Sequence, residues 1–238
     1  MQEKLKNFFR KMYFQFLFLL EFLSYAKQPS AKAVESFILL VRRARRGATN
    51  TLYHEMLEHI KSDQDAKQLI EERYLPRQNS LLELQRYPKL SLGAEFARHL
   101  SENNLELEIY AQFEIESEIE YISFRGGQLH DIWHVVTGYG VDYFGEFAVQ
   151  AFTFAQTKSP IVAMFLAGDL LFSSRKGPAF SFRALQAITD GFLLGCRLRN
   201  FYGVRWEDCF SKNLNDLRTE LGIGSSAPYI ACEELSFL

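Results

Sequence analysis

Cysteine is scarce in this sequence, and its placement does not suggest a cross-linked or thiolate-based protein. The three cysteines, Cys196, Cys209 and Cys232, are scattered and form no C-x-x-C pair. This spacing argues against a disulfide framework and against a cysteine zinc site. An odd number of cysteines also fits a reducing compartment, so we expect free thiols.

The chain also lacks an excess of charge of either sign. Lysine and arginine number 27 against 29 aspartates and glutamates, which leaves a formal net charge of −2. Such a balance gives no case for a nucleic-acid partner. Hydrophobic residues make up 47% of the 238 positions, enough to bury a substantial core in one domain.

A hydrophobic run long enough to cross a membrane is missing as well. The apolar stretch from Tyr13 to Ala26 follows several basic residues, an order that signal peptides share. It is shorter than the ~20 residues of a spanning helix, and Gln15 and Glu21 interrupt it. Two interpretations stay open: a helix that lies on a membrane surface, or one packed in a core or dimer interface.

Familiar nucleotide-binding and hydrolase motifs are absent. Gly138, Gly140 and Gly145 lack the spacing of a dinucleotide loop, and no strand-like run precedes them. The sequence has no P-loop and no serine in a G-x-S-x-G pattern. The segment His54 to His59 superficially resembles a zinc-protease helix, but its histidines are five apart and match neither zinc-protease pattern.

Helical periodicity dominates what is present. The stretch from Pro160 to Leu171 is almost wholly apolar, with Asp169 as the exception. Ala179 to Asn200 is predicted to form a long helix, in which Gly191 and Gly195 would let another helix or a lipid chain approach the backbone. We therefore predict an all-α fold, a single multi-helix domain with an N-terminal helical arm.

The predicted arm takes in residues 1–75, and the domain takes in residues 76–238. Pro76 to Ser80 is the most loop-like stretch of the first half and places the boundary. The second predicted helix of the arm ends in a cluster of arginines, Arg42, Arg43, Arg45 and Arg46. A solvated helix end and contact with anionic lipid both remain open for this cluster. We predict an arm that contacts a membrane surface or a dimer partner.

The segment from His130 to His134, with the sequence H-D-I-W-H, carries the clearest candidate chemistry. On a helix its two histidines share a face, and Asp131 lies about 100° round the axis. Gly138 to Gly140 should end that helix, and Asp142 should cap the next one, which carries Glu146 near its start. Two antiparallel helices would then return Glu146 to the histidines.

A metal accounts for these polar residues better than ordinary packing does. Their neighbours are apolar, and burying unpaired polar groups is costly. Core histidines with a helix N-terminal carboxylate are the alternative. We predict that one divalent metal, Zn²⁺ first with Fe²⁺, Mn²⁺ or Mg²⁺ left open, is ligated by His130, Asp131, His134 and Glu146.

The same residues carry a family resemblance. The pattern H-D-x-x-H, eleven residues, then E resembles the signature of the Coq-four family of coenzyme Q (ubiquinone) biosynthesis proteins. Upstream, Tyr87 to Leu100 is similar to the family's Pro-x-x-Ser-Leu-Gly segment. Downstream, Trp206 to Ile223 is similar to its C-terminal helix. The resemblance covers most of residues 70–223.

This resemblance implies a function in quinone biosynthesis. Family members act on a polyprenylated benzoate ring, remove its C1 carboxyl group and help to organise other biosynthetic proteins at the membrane. Together with the site chemistry it implies a metal-dependent lyase with Asp131 and Glu146 as catalytic residues, cytoplasmic and peripheral to the inner face of the membrane. The alternative is a non-catalytic, prenyl-lipid-binding scaffold whose metal is structural.

A prenyl tail would need an apolar tunnel near the metal. The predicted tail contacts are Phe144, Phe147, Phe152, Met164 and Phe165, although core packing is the ordinary interpretation of such residues. Arg197 and Arg199 would suit an anionic head group, and helix-end cations explain them equally well. The predicted partners are a prenylated quinone precursor or other isoprenoid lipid, the membrane surface, other quinone-biosynthesis proteins and a homodimer partner.

Overall fold

A computed structural model describes residues 20–29, 51–77, 79–105, 115 and 117–224 of the chain. These residues form nine α-helices, two 3₁₀ turns and a helical segment at residues 20–27. The helices are α1 (Thr51–Lys61), α2 (Gln64–Glu71), α3 (Leu81–Leu84), α4 (Leu92–Glu102), α5 (Glu118–Thr137), α6 (Tyr143–Thr157), α7 (Pro160–Lys176), α8 (Pro178–Arg197) and α9 (Leu214–Glu220). The 3₁₀ turns are Phe201–Gly203 and Trp206–Cys209. The described residues contain one isolated bridge and no strand, which confirms the all-α fold.

Much of the predicted arm lies outside the described residues. This holds for the first half of the N-terminal apolar run and for the second helix with its arginine cluster. The described helices α1 and α2 bury Ile60 and Ile70 in the same core cluster as Trp133 of α5. The division into residues 1–75 and 76–238 stays a prediction. None of the described helices is long and apolar enough to span a bilayer.

The ends of the helices follow the capping residues in the sequence. Gly138 ends α5 in the left-handed conformation, with a φ of 84°, as is common for glycine after a helix. Asp142 caps α6, because its side chain accepts two backbone N–H groups of the first turn. The predicted break and the predicted cap are both confirmed. The helix expected over Ala179 to Asn200 is observed as α8, with slightly earlier ends.

Two glycines let α8 lie directly on α6. A Cβ atom on Gly191 would come within 2.0 Å of the carbonyl oxygen of Ala148, and one on Gly195 within 2.7 Å of the Cβ of Ala155. Only glycine allows the two backbones to approach so closely. The sequence predicted that a helix or a lipid chain would approach the backbone at these glycines, and the structure shows that α6 does so. The contact with α8 thus helps to fix the position of α6, the helix that carries Glu146.

The helical segment at residues 20–27 packs on α7 through Tyr25. The buried phenol of Tyr25 donates to Oδ1 of Asp169 at 2.6 Å, and Nε2 of Gln150 on α6 donates to the phenol oxygen at 3.1 Å. Asp169 is fully buried. Burial raises the pKa of Asp169 to about 7, with the hydrogen bond from Tyr25 opposing the rise and the charge of Glu146 adding to it.

Buried Asp169 predicts a contribution to stability that falls as the pH rises. In the folded protein its carboxyl keeps a proton up to about pH 7, whereas in the unfolded chain it loses the proton near its ordinary pKa of about 3.9. The folded state then binds more protons, so the free energy of unfolding falls between these two values by at most ~1.4 kcal/mol per pH unit. Above pH 7 the loss is complete. Asp169→Asn should lack this slope.

Urea unfolding followed by circular dichroism at pH 5, 6, 7 and 8 measures the effect. As the pH rises through this range, the free energy of unfolding of the wild type should fall relative to that of Asp169→Asn. Asp190→Asn is the matched control, because Asp190 also accepts from a tyrosine, Tyr139, at 2.7 Å. A constant difference between wild type and Asp169→Asn at every pH would contradict a neutral Asp169.

Candidate metal centre

Three side chains from α5 and α6 meet at one point. His130 and His134 lie one turn apart on α5, and their Nε2 atoms are 3.1 Å from each other. Glu146 of α6 places Oε2 3.3 Å from Nε2 of His130 and Oε1 3.3 Å from Nε2 of His134. The structure thus brings these three predicted residues together. That they bind a metal stays a proposal.

The dimensions of this triangle fit a divalent metal. Bonds of about 2.0–2.1 Å to a tetrahedral metal set neighbouring ligand atoms roughly 3.4 Å apart. The observed separations of 3.1 and 3.3 Å are close to that value. Two imidazole nitrogens and a carboxylate are suitable ligands for Zn²⁺, Fe²⁺ or Mn²⁺. Three protein ligands are also typical of catalytic zinc sites, in which water or substrate takes the fourth position.

The turn after α5 sets the orientation of His134. Its Nδ1 lies 3.0 Å from the carbonyl oxygen of Tyr139, so Nδ1–H donates there and Nε2 faces Glu146, where it is available to a metal. The hydroxyl of Tyr139 donates to Asp190 of α8 at 2.7 Å. The residue that orients the histidine is therefore itself attached to a neighbouring helix.

A close backbone contact fixes the first turn of α6. A Cβ atom on Gly145 would lie 1.9 Å from the carbonyl oxygen of Gly140. Any larger residue at that position would push α6 away from the preceding turn. Because Glu146 follows directly, this contact determines how far its carboxylate lies from the two histidines.

Arg218 of α9 secures the C-terminal end of α5. Its Nε and Nη2 atoms donate to the carbonyl oxygens of Val136 and Val135, each at 2.8 Å. Carbonyls in the last turn of a helix have no partner within the helix, and a guanidinium can satisfy two of them at once. The helix that carries both histidines is thus held at the end where His134 lies.

The charges in the triangle outweigh the effect of burial. Burial raises the pKa of Glu146, but hydrogen bonds and charge from His130 and His134 bring it well below its ordinary value. Burial lowers the pKa of His130, but the carboxylate of Glu146 reverses this and raises it. A divalent cation would therefore replace a proton at this site, and metal binding should weaken in acid.

Asp131 and His99 form a second group beside the triangle. Nε2 of His99, on α4, lies 3.8 Å from Oδ1 of Asp131, and the His99 ring stacks on His134 with 5.6 Å between centroids. This Nε2 is buried and has no hydrogen-bond partner among the described residues. Burial raises the pKa of Asp131, but the neighbouring histidines, His99 first, bring it below its ordinary value. Asp131 is thus placed with His99 rather than in the triangle, and its role as a ligand stays a prediction.

The five predicted tail contacts are divided between two clusters of the described core. Phe152 and Phe165 are buried in the main cluster, and Met164 packs against it. Phe147 belongs to a smaller cluster between α6, α7 and α8, and Phe144 packs against both. The contact of these residues with a prenyl tail stays a prediction.

The two predicted head-group arginines lie at the end of α8 and just beyond it. Arg197 is the last residue of the helix and is exposed. Arg199 pairs with Asp65 of α2, with Nη2 and Oδ2 2.8 Å apart. A role for either residue in binding an anionic head group stays a prediction.

The fold and the triangle define an all-α protein with a candidate metal centre of two histidines and one glutamate between antiparallel helices. Residues 39–227 match the family described as Coenzyme Q (ubiquinone) biosynthesis protein Coq4. The chain belongs to this family, whose members take part in ubiquinone biosynthesis. The resemblance seen in the motif is thereby confirmed.

Individual relatives agree with this assignment. The rat protein (Rattus norvegicus) named Ubiquinone biosynthesis protein COQ4 homolog, mitochondrial, is 30% identical over 185 residues, which are 73% of this chain and 66% of that protein. The human protein of the same name is 31% identical over 178 residues, 70% of this chain and 63% of that protein. The chain therefore spans about two thirds of the length of these relatives.

A solved structure supports the fold. A provisionally named ubiquinone biosynthesis protein from Nostoc punctiforme PCC 73102 matches with a TM-score of 0.76 and 24% sequence identity. The match covers 88% of this chain and 97% of the Nostoc chain. The helical arrangement described above is thus also found in a crystal structure.

Purified protein should contain a single divalent metal per chain, held by the triangle. Loss of a ligand should weaken binding by at least ~10-fold, so His134→Ala and Glu146→Gln should lose most of the metal on dialysis. Elemental analysis by mass spectrometry measures the content. His54→Ala, which removes an exposed histidine on α1, is the control.

The Asp131→Asn variant belongs in the same series. Unchanged metal content would leave three protein ligands, whereas loss of metal would make Asp131 a fourth. Equal metal content in the wild type and in His134→Ala would contradict the proposed centre.

Proposed function

We propose that this chain is a metal-dependent lyase that removes the C1 carboxyl group from a polyprenylated benzoate ring. The observation that carries the proposal is the triangle of His130, His134 and Glu146 in a member of the Coq4 family. A divalent metal bound there would supply a Lewis acid that stabilises negative charge developing on the ring.

The reaction makes two demands on the residues of the chain. The bond between the ring and the carboxyl carbon breaks, CO₂ leaves, and the bonding electron pair stays on the ring carbon. That carbon must then gain a proton. A metal held by the triangle would meet the first demand, and a separate group is needed to deliver the proton.

We assign the proton to the pair of Asp131 and His99. Glu146 is engaged by both histidines, so its catalytic role is to hold the metal. Nε2 of His99 is buried and without a partner among the described residues, and the ionised carboxylate of Asp131 lies 3.8 Å away. A histidine with a carboxylate beside it is a common arrangement for delivering a proton to a substrate.

The site is apolar on one side and open to solvent on the other. Trp133 and Val136 on α5 and Phe147 on α6 are completely buried close to the ligands in sequence. The side chain of His134 is 1% exposed, whereas those of His130 and Glu146 are each 35% exposed. A substrate can therefore reach the triangle from the side of His130 and Glu146. Its bound ring would displace water there, which strengthens electrostatic stabilisation.

We further propose that the prenyl tail lies along α6 and α7 and that the chain works at a membrane surface with other quinone-biosynthesis proteins. Family membership supports quinone-pathway partners. A cytoplasmic location, peripheral to the inner face of the membrane, belongs to the proposal. The names of the rat and human relatives place those two proteins in the mitochondrion.

The exposed face of α8 favours a second candidate function. Phe182, Leu185 and Leu193 are 55%, 50% and 57% exposed, an unusual concentration of large apolar side chains on one helix. Exposed apolar patches often mark sites of protein or membrane contact. A non-catalytic scaffold that binds prenyl lipid and organises partner proteins through such a face is therefore the alternative.

Substitution of Glu146 separates the two functions. Glu146→Gln should lower the decarboxylation rate at least ~100-fold, because a neutral amide is a poor metal ligand and leaves the charge of the ring unstabilised. Release of CO₂ from a carboxyl-labelled prenylated benzoate measures the rate. Glu102→Gln, on the exposed end of α4, is the matched control. Binding of prenyl lipid without turnover by the wild type, and the same binding by Glu146→Gln, would support the scaffold.

Affinity for prenylated benzoates should rise with the length of the tail. Burial of apolar surface contributes ~25 cal/mol per Å², so each prenyl unit that fits inside should improve affinity by roughly tenfold or more. Titration with tails of increasing length, followed by calorimetry, measures this. Met164→Asn should weaken binding of long tails, whereas Leu193→Asn on the outer face of α8 should not. An affinity that does not change with tail length would exclude the buried tail.

A further inference from the structure

The side chain of Tyr25 occupies a defined niche between α6 and α7. Its phenol oxygen lies 2.6 Å from Oδ1 of Asp169 and 3.1 Å from Nε2 of Gln150. The ring packs on Phe165, with 5.0 Å between centroids. A Cβ atom on Gly168 would lie 2.6 Å from the Tyr25 ring, so the glycine makes room for an aromatic ring. The niche thus provides both a flat space for a ring and polar partners for a hydroxyl.

Two buried polar atoms of the niche have no partner. Oδ2 of Asp169 and Oε1 of Gln150 make no hydrogen bond among the described residues. Oδ1 of Asp169 accepts from Tyr25, so the proton of the neutral carboxyl is on Oδ2, which is a donor, whereas Oε1 of Gln150 is an acceptor. Buried polar atoms without a partner are costly and uncommon. A second hydroxyl beside the first could accept from Oδ2–H of Asp169 and donate to Oε1 of Gln150.

The niche lies next to the candidate metal centre. Gln150 follows Glu146 by one helical turn on α6, so the two side chains point to the same side of the helix. The charge of Glu146 also contributes to the raised pKa of both Tyr25 and Asp169, after the larger effect of burial. A ring in the niche would therefore lie close to the residues that hold the metal.

Tyr25 is the main anchor of residues 20–27. Tyr25 and Ala26 are the buried residues of this described segment, whereas Leu20 and Leu23 are exposed. Phe22 packs against the main core cluster, and Arg175 of α7 donates to the carbonyl oxygen of Ala26. The contacts of this segment with α6 and α7 are thus centred on Tyr25.

We propose that this niche is a binding site for the hydroxylated ring of an aromatic ligand and that Tyr25 fills it when no ligand is bound. The ligand class is a phenol with a second hydroxyl on the neighbouring ring carbon. Binding displaces Tyr25 together with residues 20–27. That this ring is the ring of the substrate rests on the proposed function, but the niche itself follows from Tyr25, Gln150, Gly168 and Asp169.

Substitutions on the two sides of the niche should change affinity in opposite directions. The probes are benzoate, 4-hydroxybenzoate and 3,4-dihydroxybenzoate, titrated into the full-length protein by calorimetry, as purified and with a chelator. We expect affinity to rise in that order. Tyr25→Phe should bind the dihydroxy probe roughly tenfold more tightly, because the competing phenol has lost its hydrogen bond. Gln150→Leu should bind it roughly tenfold more weakly, because it removes an acceptor.

Tyr121→Phe is the matched control for the tyrosine substitution. Its hydroxyl is also buried and donates to the carbonyl oxygen of Tyr74 at 2.8 Å, but it makes no contact with the niche. The affinity of this variant should equal that of the wild type. An affinity that is the same or lower in Tyr25→Phe, or the same in Gln150→Leu, would overturn the proposal.

Hydrogen exchange on the wild-type protein provides a readout that does not depend on any variant. The dihydroxy probe should speed exchange of the backbone amides in residues 20–27, because the segment leaves α7 when the ligand enters. A purely structural anchor would show unchanged or slower exchange, and this result would overturn the proposal. Because binding is also measured with a chelator, the test of the niche does not depend on metal or on turnover. The niche proposal and the decarboxylase proposal can therefore be contradicted independently of each other.

Discussion

The reversal of the chain between α5 and α6 is the constraint on which the candidate site depends. Gly138 turns the backbone through the left-handed region, and Gly145 then lies against the carbonyl of Gly140 at a distance that admits no Cβ atom. The same turn points the carbonyl of Tyr139 at Nδ1 of His134. One loop therefore sets both the tautomer of a histidine and the position of Glu146 opposite it.

Two buried carboxyls show how strongly the surroundings decide the chemistry of this region. Burial raises the pKa of both Glu146 and Asp169, but only Glu146 has two imidazoles close enough to reverse the effect. For Asp169, burial and the charge of Glu146 outweigh the hydrogen bond from Tyr25, so its pKa stays raised to about 7. An ionised group for holding a cation and a neutral group for hydrogen bonding thus lie near each other, a separation typical of functional sites.

The sequence predicted the parts of the site that depend on local spacing. His130 and His134 are four residues apart on one helix, Gly138 marks its end and Asp142 marks the start of the next, so the approach of Glu146 could be anticipated. His99 could not be anticipated, because no periodicity relates a residue on α4 to a pattern on α5.

The contact of Tyr25 with Asp169 could not be predicted for the same reason, since 144 positions separate the two residues. A glycine in the middle of α5, the helix that carries both histidines, is another case. Gly126 lies inside α5, where a Cβ atom would come within 2.4 Å of the hydroxyl of Tyr202. Tertiary contact, and not local helix propensity, explains the glycine at that position. The contacts that sequence reasoning missed are therefore those made between distant segments.

Contacts between distant segments also explain why the family resemblance includes three separate stretches: the H-D-x-x-H motif, the stretch upstream of it and the stretch downstream of it. The stretch before α4 and the stretch before α9 are joined by backbone hydrogen bonds from Leu92 to Lys212, from Gly93 to Phe210 and from Leu214 to Leu90. A Cβ atom on Gly93 would come within 2.6 Å of the Tyr87 ring, so the glycine of the Ser-Leu-Gly sequence is required for this junction.

This junction positions both stretches relative to α5. The upstream stretch leads into α4, which places His99 beside Asp131. The downstream stretch leads into α9, which places Arg218 against the last carbonyls of α5. A change in any one stretch would shift the other two relative to the histidines. The resemblance thus extends beyond the ligands because the helix that bears them is positioned by both of its neighbours.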